Sequence, residues 1–127
     1  MKTKFKLALA VLVGIALGAT AFKGLNAQTK PPAYVVFDIE INDPAGYKPV
    51  ADGTAATLAA YGGRFLIRGG RPDVLEGTPP SRFGIFVFDN IEKARAWYDS
   101  PATKEHTAIR ARTSKSRFVF IIEGPTN

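Results

Sequence analysis

Between Tyr61 and Gly70 the chain reads Tyr-Gly-Gly-Arg-Phe-Leu-Ile-Arg-Gly-Gly, and this stretch limits the possible folds more than any other. Gly62-Gly63 can end a helix in the left-handed conformation that glycine adopts without steric cost. Arg64 to Arg68 then reads as a strand, and Gly69-Gly70 bends or ends it. Successive strand side chains point to opposite faces. Arg64, Leu66 and Arg68 are therefore expected on one face of a central sheet, with Phe65 and Ile67 on the other.

The flanking chain supplies the remaining elements. From Ala33 to Ile41, Val35, Phe37, Ile39 and Ile41 alternate with Tyr34, Val36, Asp38 and Glu40, which predicts a half-buried strand. Asp43-Pro44 suits a helix start, with aspartate as cap and proline in the first turn. Tyr47, Val50, Thr54, Leu58 and Tyr61 then recur at helical spacing, while Gly46, Pro49 and Gly53 predict an irregular first half. After the 69–70 bend, Asp73 to Glu76 is expected to prolong the second strand, and Gly77 to Ser81 to turn into a third, Arg82 to Phe88. There Phe83, Ile85 and Val87 are assigned to the core, with Gly84, Phe86 and Phe88 opposite. Asp89 or Asn90 caps a helix whose inner side is Ile91, Ala94, Trp97 and Tyr98. Ser100-Pro101 breaks it and starts another segment, to about Thr113. Arg117 to Glu123 is the last strand, with Phe118, Phe120 and Ile122 on one face and Val119 and Ile121 on the other.

This order, β-α-β-β-α-β, defines an α+β ferredoxin-like domain. Its helices cover one face of the sheet. The other face, expected to carry Val36, Leu66, Phe86, Phe88, Val119 and Ile121, is too apolar to be left bare. A second copy packed against it would enclose a barrel-like space, so a homodimer is expected.

Three lysines (Lys2, Lys4, Lys6) precede a 16-residue uncharged, mostly apolar run, Leu7 to Phe22, and small residues follow at Ala19, Ala21 and Ala27. That is the order of a secretory signal peptide, residues 1–27, and the run is shorter than the ~20 residues of a spanning helix. Cleavage after Ala27 or after Ala21, or retention as an anchor, are the alternatives. Gln28 to Pro32 is a tether and 33–124 the domain. The expected compartment is periplasmic or extracellular, with no stable membrane span after cleavage. The whole chain carries 17 basic and 11 acidic residues, net +6. Removing the four leader lysines leaves 13 against 11, or +2, so the basic balance belongs largely to targeting and is no nucleic-acid footprint. The absence of cysteine excludes disulfides, thiol nucleophiles and thiolate metal sites.

Asp43-Pro44, the Tyr61–Gly70 stretch and Ala94-Arg95-Ala96-Trp97-Tyr98-Asp99-Ser100-Pro101 together resemble the bacterial domain of unknown function 1330 family, from about Ala33 to Gly124. The resemblance implies a dimeric α/β barrel of ferredoxin-like protomers, in some relatives behind an exported leader. A tyrosine is usual shortly after the Ser-Pro step, where this chain has Thr103. Cofactor-free monooxygenases and lactone isomerases occur in similar barrels.

In this register Asp38, Glu40, Arg64 and Arg68 share the face without helices. Asp38 and Arg68 are expected to pair across the cavity between two sheets. Alternatively Asp38, Arg64 and Arg68 are the polar contacts of a small organic ligand held between the sheets, a carboxylate on it being clamped by the guanidiniums, with Tyr34 and Phe86 as the apolar wall. The competing reading is an ion pair that fixes dimer register or satisfies a buried charge, in an interaction module whose inner face is packed shut. His106, the sole histidine, has no ligand cluster around it in sequence and is assigned to surface or packing, with no metal implied. Lys104, Arg110, Arg112, Lys115 and Arg117 read as a solvated basic face. No G-x-G-x-x-G or P-loop lysine occurs, and no cofactor is called for.

Overall fold

The computed structural model describes residues 30–126, of which Pro31–Pro125 form one unit. The expected leader and the first residues of the tether lie outside the described residues. The elements are β1 (Ala33–Ile41), α1 (Pro44–Ala59), β2 (Arg64–Arg68), β3 (Phe83–Phe88), α2 (Ile91–Asp99), α3 (Pro101–Thr113) and β4 (Ser114–Glu123). All strand pairs are antiparallel, in the order β2-β3-β1-β4. This is the ferredoxin-like α+β fold.

Each helix starts where the sequence places a cap. Asp43 accepts from the Gly46 amide at 3.0 Å and Asn90 from the Lys93 amide at 2.9 Å. Ser100 ends α2 and caps α3, with Pro101 in the first turn. Contrary to expectation, α1 runs unbroken through Pro49. Its inner side, Tyr47, Val50 and Leu58, is buried against the sheet, and that packing outweighs the weak local propensity. Gly62, at φ 72°, provides the left-handed turn after α1.

Directly opposed residues on antiparallel strands share a face, and the pairing defines two rows toward the helices. One is Phe65–Phe86–Val35–Ile121, the other Arg68–Gly84–Phe37–Val119. The open face carries Arg64–Val87–Tyr34–Ile122 and Ile67–Ile85–Val36–Phe120. For β1 this is the expected register. For β3 and β4 it is the reverse: Phe86, Phe88, Val119 and Ile121 face the helices, and Phe83, Ile85, Val87, Phe118, Phe120 and Ile122 do not. Both segments are runs of apolar residues with no polar alternation to fix a face, so period alone could not orient them.

In β2 the register shifts between Phe65 and Ile67, leaving Leu66 as the extra residue of a bulge. Arg64 and Arg68 therefore point to opposite faces. A second shift, between Asp38 and Ile39, passes over Arg117 on β4. Residues 73–76 do not prolong β2; they lie in a loop that runs from Gly69 to Arg82.

The core centres on Phe86. Its ring centroid lies 4.7 Å from that of Phe37, 5.1 Å from Phe65 and 5.5 Å from Trp97, the last two edge-on. The Trp97 indole N–H donates to Thr57 Oγ1 at 3.1 Å, which ties α2 to α1. Gly84 is buried without a side chain because the Phe37 ring occupies the space a Cβ would need.

Candidate functional site

A cavity of about 390 Å³ lies between the helices and the sheet within one protomer. This volume falls in the range of small-molecule sites. Its floor is the two helix-facing sheet rows, including Val35, Phe37, Phe65, Phe86 and Val119. Its roof comes from one stripe of α1, Tyr47, Val50, Ala51 and Thr54, and from Trp97 of α2. α3 contributes Thr103, His106 and Arg110, spaced three and four apart and so on one face of the helix. The mouth carries Arg68, Gly69 and Arg82. This cavity lies beneath the helices of a single chain, on the other side of the sheet from the face expected to hold a site.

Three guanidiniums and one imidazole meet in this apolar, aromatic-lined space, and no carboxylate lines it. Arg68 stands over the Phe65 ring at 4.5 Å and Arg82 over the Tyr47 ring at 5.3 Å. Arg110 donates from Nη2 to Thr107 Oγ1 at 3.0 Å. Among the described residues, none of these three arginines has a carboxylate at ion-pair distance. Burial pulls the Arg110 guanidinium below its ordinary value, opposed by Tyr47 and Tyr98, yet a guanidinium remains charged at any physiological pH. His106 is held below the usual 6.5, first by burial and then by Arg110, with Glu105 opposing. At neutral pH its ring is therefore uncharged. A Cβ at Gly53 would approach the ring's Cε1 and Nε2 to 3.0 Å, so glycine on α1 makes room for the imidazole.

Thr103 is also fully enclosed. Its amide is capped by Ser100 Oγ at 3.3 Å. Ser100 Oγ donates to the Trp97 carbonyl at 2.7 Å and lies 3.0 Å from Thr103 Oγ1. The α2–α3 break is therefore hydrogen-bonded, and it turns α3 so that its 103–106–110 stripe faces inward.

Of the residues singled out from sequence, Arg68 and Phe86 line this cavity. Asp38, Arg64 and Tyr34 do not. Arg64 and Tyr34 sit in the open-face row with Val87 and Ile122. Asp38 is 1 % exposed, and its partner is not Arg68. Asp38 Oδ1 accepts from the amides of Ser81 and Arg82, each at 2.9 Å, and Oδ2 pairs with Arg117 Nη1 at 3.3 Å. The Ile39 amide donates to the Arg82 carbonyl at 3.0 Å. These bonds fix the end of the 69–82 loop and so position Arg82 at the cavity mouth.

His106, Arg110, Arg82 and Tyr47 are cavity residues that sequence reasoning did not assign to a site. The available signal was the 103–106–110 spacing, which sets a histidine and an arginine on one helical face; Arg110 was instead grouped with a basic run. Among the described residues, no cluster of three or more His, Cys, Asp or Glu side chains could hold a metal ion, and no helix is long and apolar enough to cross a membrane.

The family model described as Domain of unknown function (DUF1330) matches residues 32–125. No curated protein matches the chain. Among solved structures, a protein of unknown function from Rhodopseudomonas palustris is 12% identical, with a TM-score of 0.61 over 77% of this chain and 85% of that one. A hypothetical Arabidopsis thaliana protein is 16% identical, with a TM-score of 0.53 over 77% and 90%. A cofactor-independent oxygenase from Streptomyces nogalater is 17% identical, with a TM-score of 0.50 over 76% and 96%. At these identities the likeness is one of fold.

Proposed function

The chain belongs to the DUF1330 family, and from that premise we propose that it is an exported homodimer binding a small, largely apolar organic anion in the cavity beneath its helices. The observation that carries this reading is the meeting of Arg68, Arg82 and Arg110 around an aromatic-lined cavity without a carboxylate. Three cations without carboxylate partners along one cavity favour an anion from outside, and guanidiniums bind carboxylates through paired donors. The aromatic floor supplies the apolar contacts that hold the remainder of such a ligand.

Dimerisation draws support from the open face, where Phe118, Phe120, Ile122 and Ile67 are 39 %, 46 %, 53 % and 38 % exposed. An apolar patch of this kind on a sheet is a surface for a partner, and a second copy offers the same patch. The open face then serves assembly and the covered face serves ligand. A non-enzymatic interaction module is the reading left if the cavity takes nothing up.

The test compares 3-phenylpropanoate with its uncharged amide, read by the fluorescence of Trp97. The carboxylate should bind at least about 10-fold more tightly, the worth of one charge-assisted hydrogen bond. Arg110→Met and Arg68→Leu should each remove most of that preference while leaving the dimer intact. Equal affinity for acid and amide, or no uptake of either, would reject the anion site. Aggregation of Arg68→Leu would instead mark that arginine as structural.

A further inference from the structure

Resting on the reading of the cavity as an anion site, we infer that His106 is its proton-transfer residue, acting on a carbon acid whose enolate the arginines hold. The imidazole lines the same cavity as Arg68, Arg82 and Arg110. No other described residue exchanges a hydrogen bond with the ring, and neither ring nitrogen is a sealed, unpartnered atom. The ring lines the cavity with its Cε1–Nε2 edge beside Gly53 of α1. Arg110 stands one turn further along α3, adjacent on the helix surface. Arg68 and Arg82 approach from the mouth.

The groups around the ring favour a neutral imidazole that accepts a proton. Tyr47 of α1, Arg68 of β2, Arg82 at the start of β3 and Arg110 of α3 line the cavity with it, and Glu105 precedes it in the chain. Only Glu105 among the charged groups favours the imidazolium; burial and Arg110 outweigh it. An imidazole kept uncharged by burial and by Arg110 can act as the base that removes a proton from carbon next to a carbonyl. The negative charge that develops on the carbonyl oxygen is met by the guanidiniums that line the same cavity.

The substrate class is a carbonyl compound with an acidic C–H, an apolar or aromatic body and a carboxylate. Phenylpyruvate is a suitable probe. The neutral His106 nitrogen takes a proton from C3, the C–H pair becomes the C2=C3 bond, and the carbonyl pair moves onto oxygen opposite Arg110. The carboxylate meets Arg68 and Arg82. The imidazolium then returns its proton to the enolate oxygen, giving the enol, or to C3, restoring the ketone. No oxidant or cofactor enters the balance.

The experiment follows exchange of the C3 protons of phenylpyruvate in D2O by proton NMR, using the protein as the cell produces it. Binding is read in parallel from Trp97 fluorescence. The expected result is exchange well above the buffer rate, at least about 100-fold lower in His106→Gln, in a variant that still binds phenylpyruvate. The wild-type rate should fall as pH drops below about 6.5, where the imidazole begins to protonate, and His106→Gln should show no such limb. Binding without exchange above buffer, or exchange that survives His106→Gln, overturns the assignment and leaves the anion site standing. Failure of phenylpyruvate to bind at all counts against both.

Discussion

At the scale of single residues, Asp38 shows how much of this molecule depends on one carboxylate. Its two oxygens are shared among two backbone amides and Arg117, and the residue is 1 % exposed. Asp38→Ala would strand those partners and should lower stability by about 3 kcal/mol in urea unfolding. Arg117→Ala, at a side chain 40% exposed, should cost less than about 1 kcal/mol. Anion affinity should weaken in Asp38→Ala as well, since the carboxylate holds Arg82 in place; affinity equal to wild type would show that the loop needs no such anchor. His106 adds a pH dependence. Its value is lower folded than unfolded, so its contribution is complete above about 6.5 and is lost as pH falls toward the folded value. The slope of stability against pH in that window should shrink in His106→Gln, and an unchanged slope would assign it to other groups. The sequence made Asp38 visible as an acid on a strand but not its partner. Arg117 reaches it across a register shift in β4, and residue types alone do not announce such a shift.

At the scale of elements, caps and helix stripes were legible because their chemistry is local. Asp43, Asn90 and Ser100 each bond an amide three residues on. Strand faces were legible only where polar residues break the apolar run. β1 alternates, so its buried face follows from the sequence; Phe83 to Phe88 and Phe118 to Ile122 do not alternate, so theirs does not. One inserted residue, Leu66, sends Arg64 and Arg68 to opposite faces and moved the candidate site from one side of the sheet to the other. Two glycines separate the steric demands of these elements. At Gly84 a Cβ would collide with the Phe37 ring, so Gly84→Ala should cost about 1–3 kcal/mol by thermal or urea unfolding. At Gly69 nothing lies within 4 Å of the position, and only its φ of 66° resists a side chain. Gly69→Ala should therefore cost about 1 kcal/mol. Equal costs at the two sites would mean that the Phe37–Gly84 contact is not tight.

At the scale of the whole molecule, the two faces of the sheet divide the work. One is covered by helices and holds the cavity with its arginines; the other exposes phenylalanines and isoleucines, the surface proposed for a second copy. Phe120→Asp, in the middle of that open face, should convert a dimer to a monomer by sedimentation equilibrium while leaving the helix-covered core folded. A wild-type protomer that stays single at micromolar concentration would remove the basis for the dimer. The oiliness of the open face was legible, but the residues that supply it are Ile67, Phe118, Phe120 and Ile122. The cavity was not legible, because it is the space between α1, α2, α3 and the sheet, which depends on how far the helices stand from the strands and not on any local run of residues. A 1H–15N titration with 3-phenylpropanoate reads where the anion sits. Saturable shifts are expected at the Trp97 indole, at Gly69 and along the 103–110 face of α3, with Tyr34, Arg64 and Phe120 unmoved. Shifts confined to the open face, or none anywhere, would contradict an anion site in the cavity.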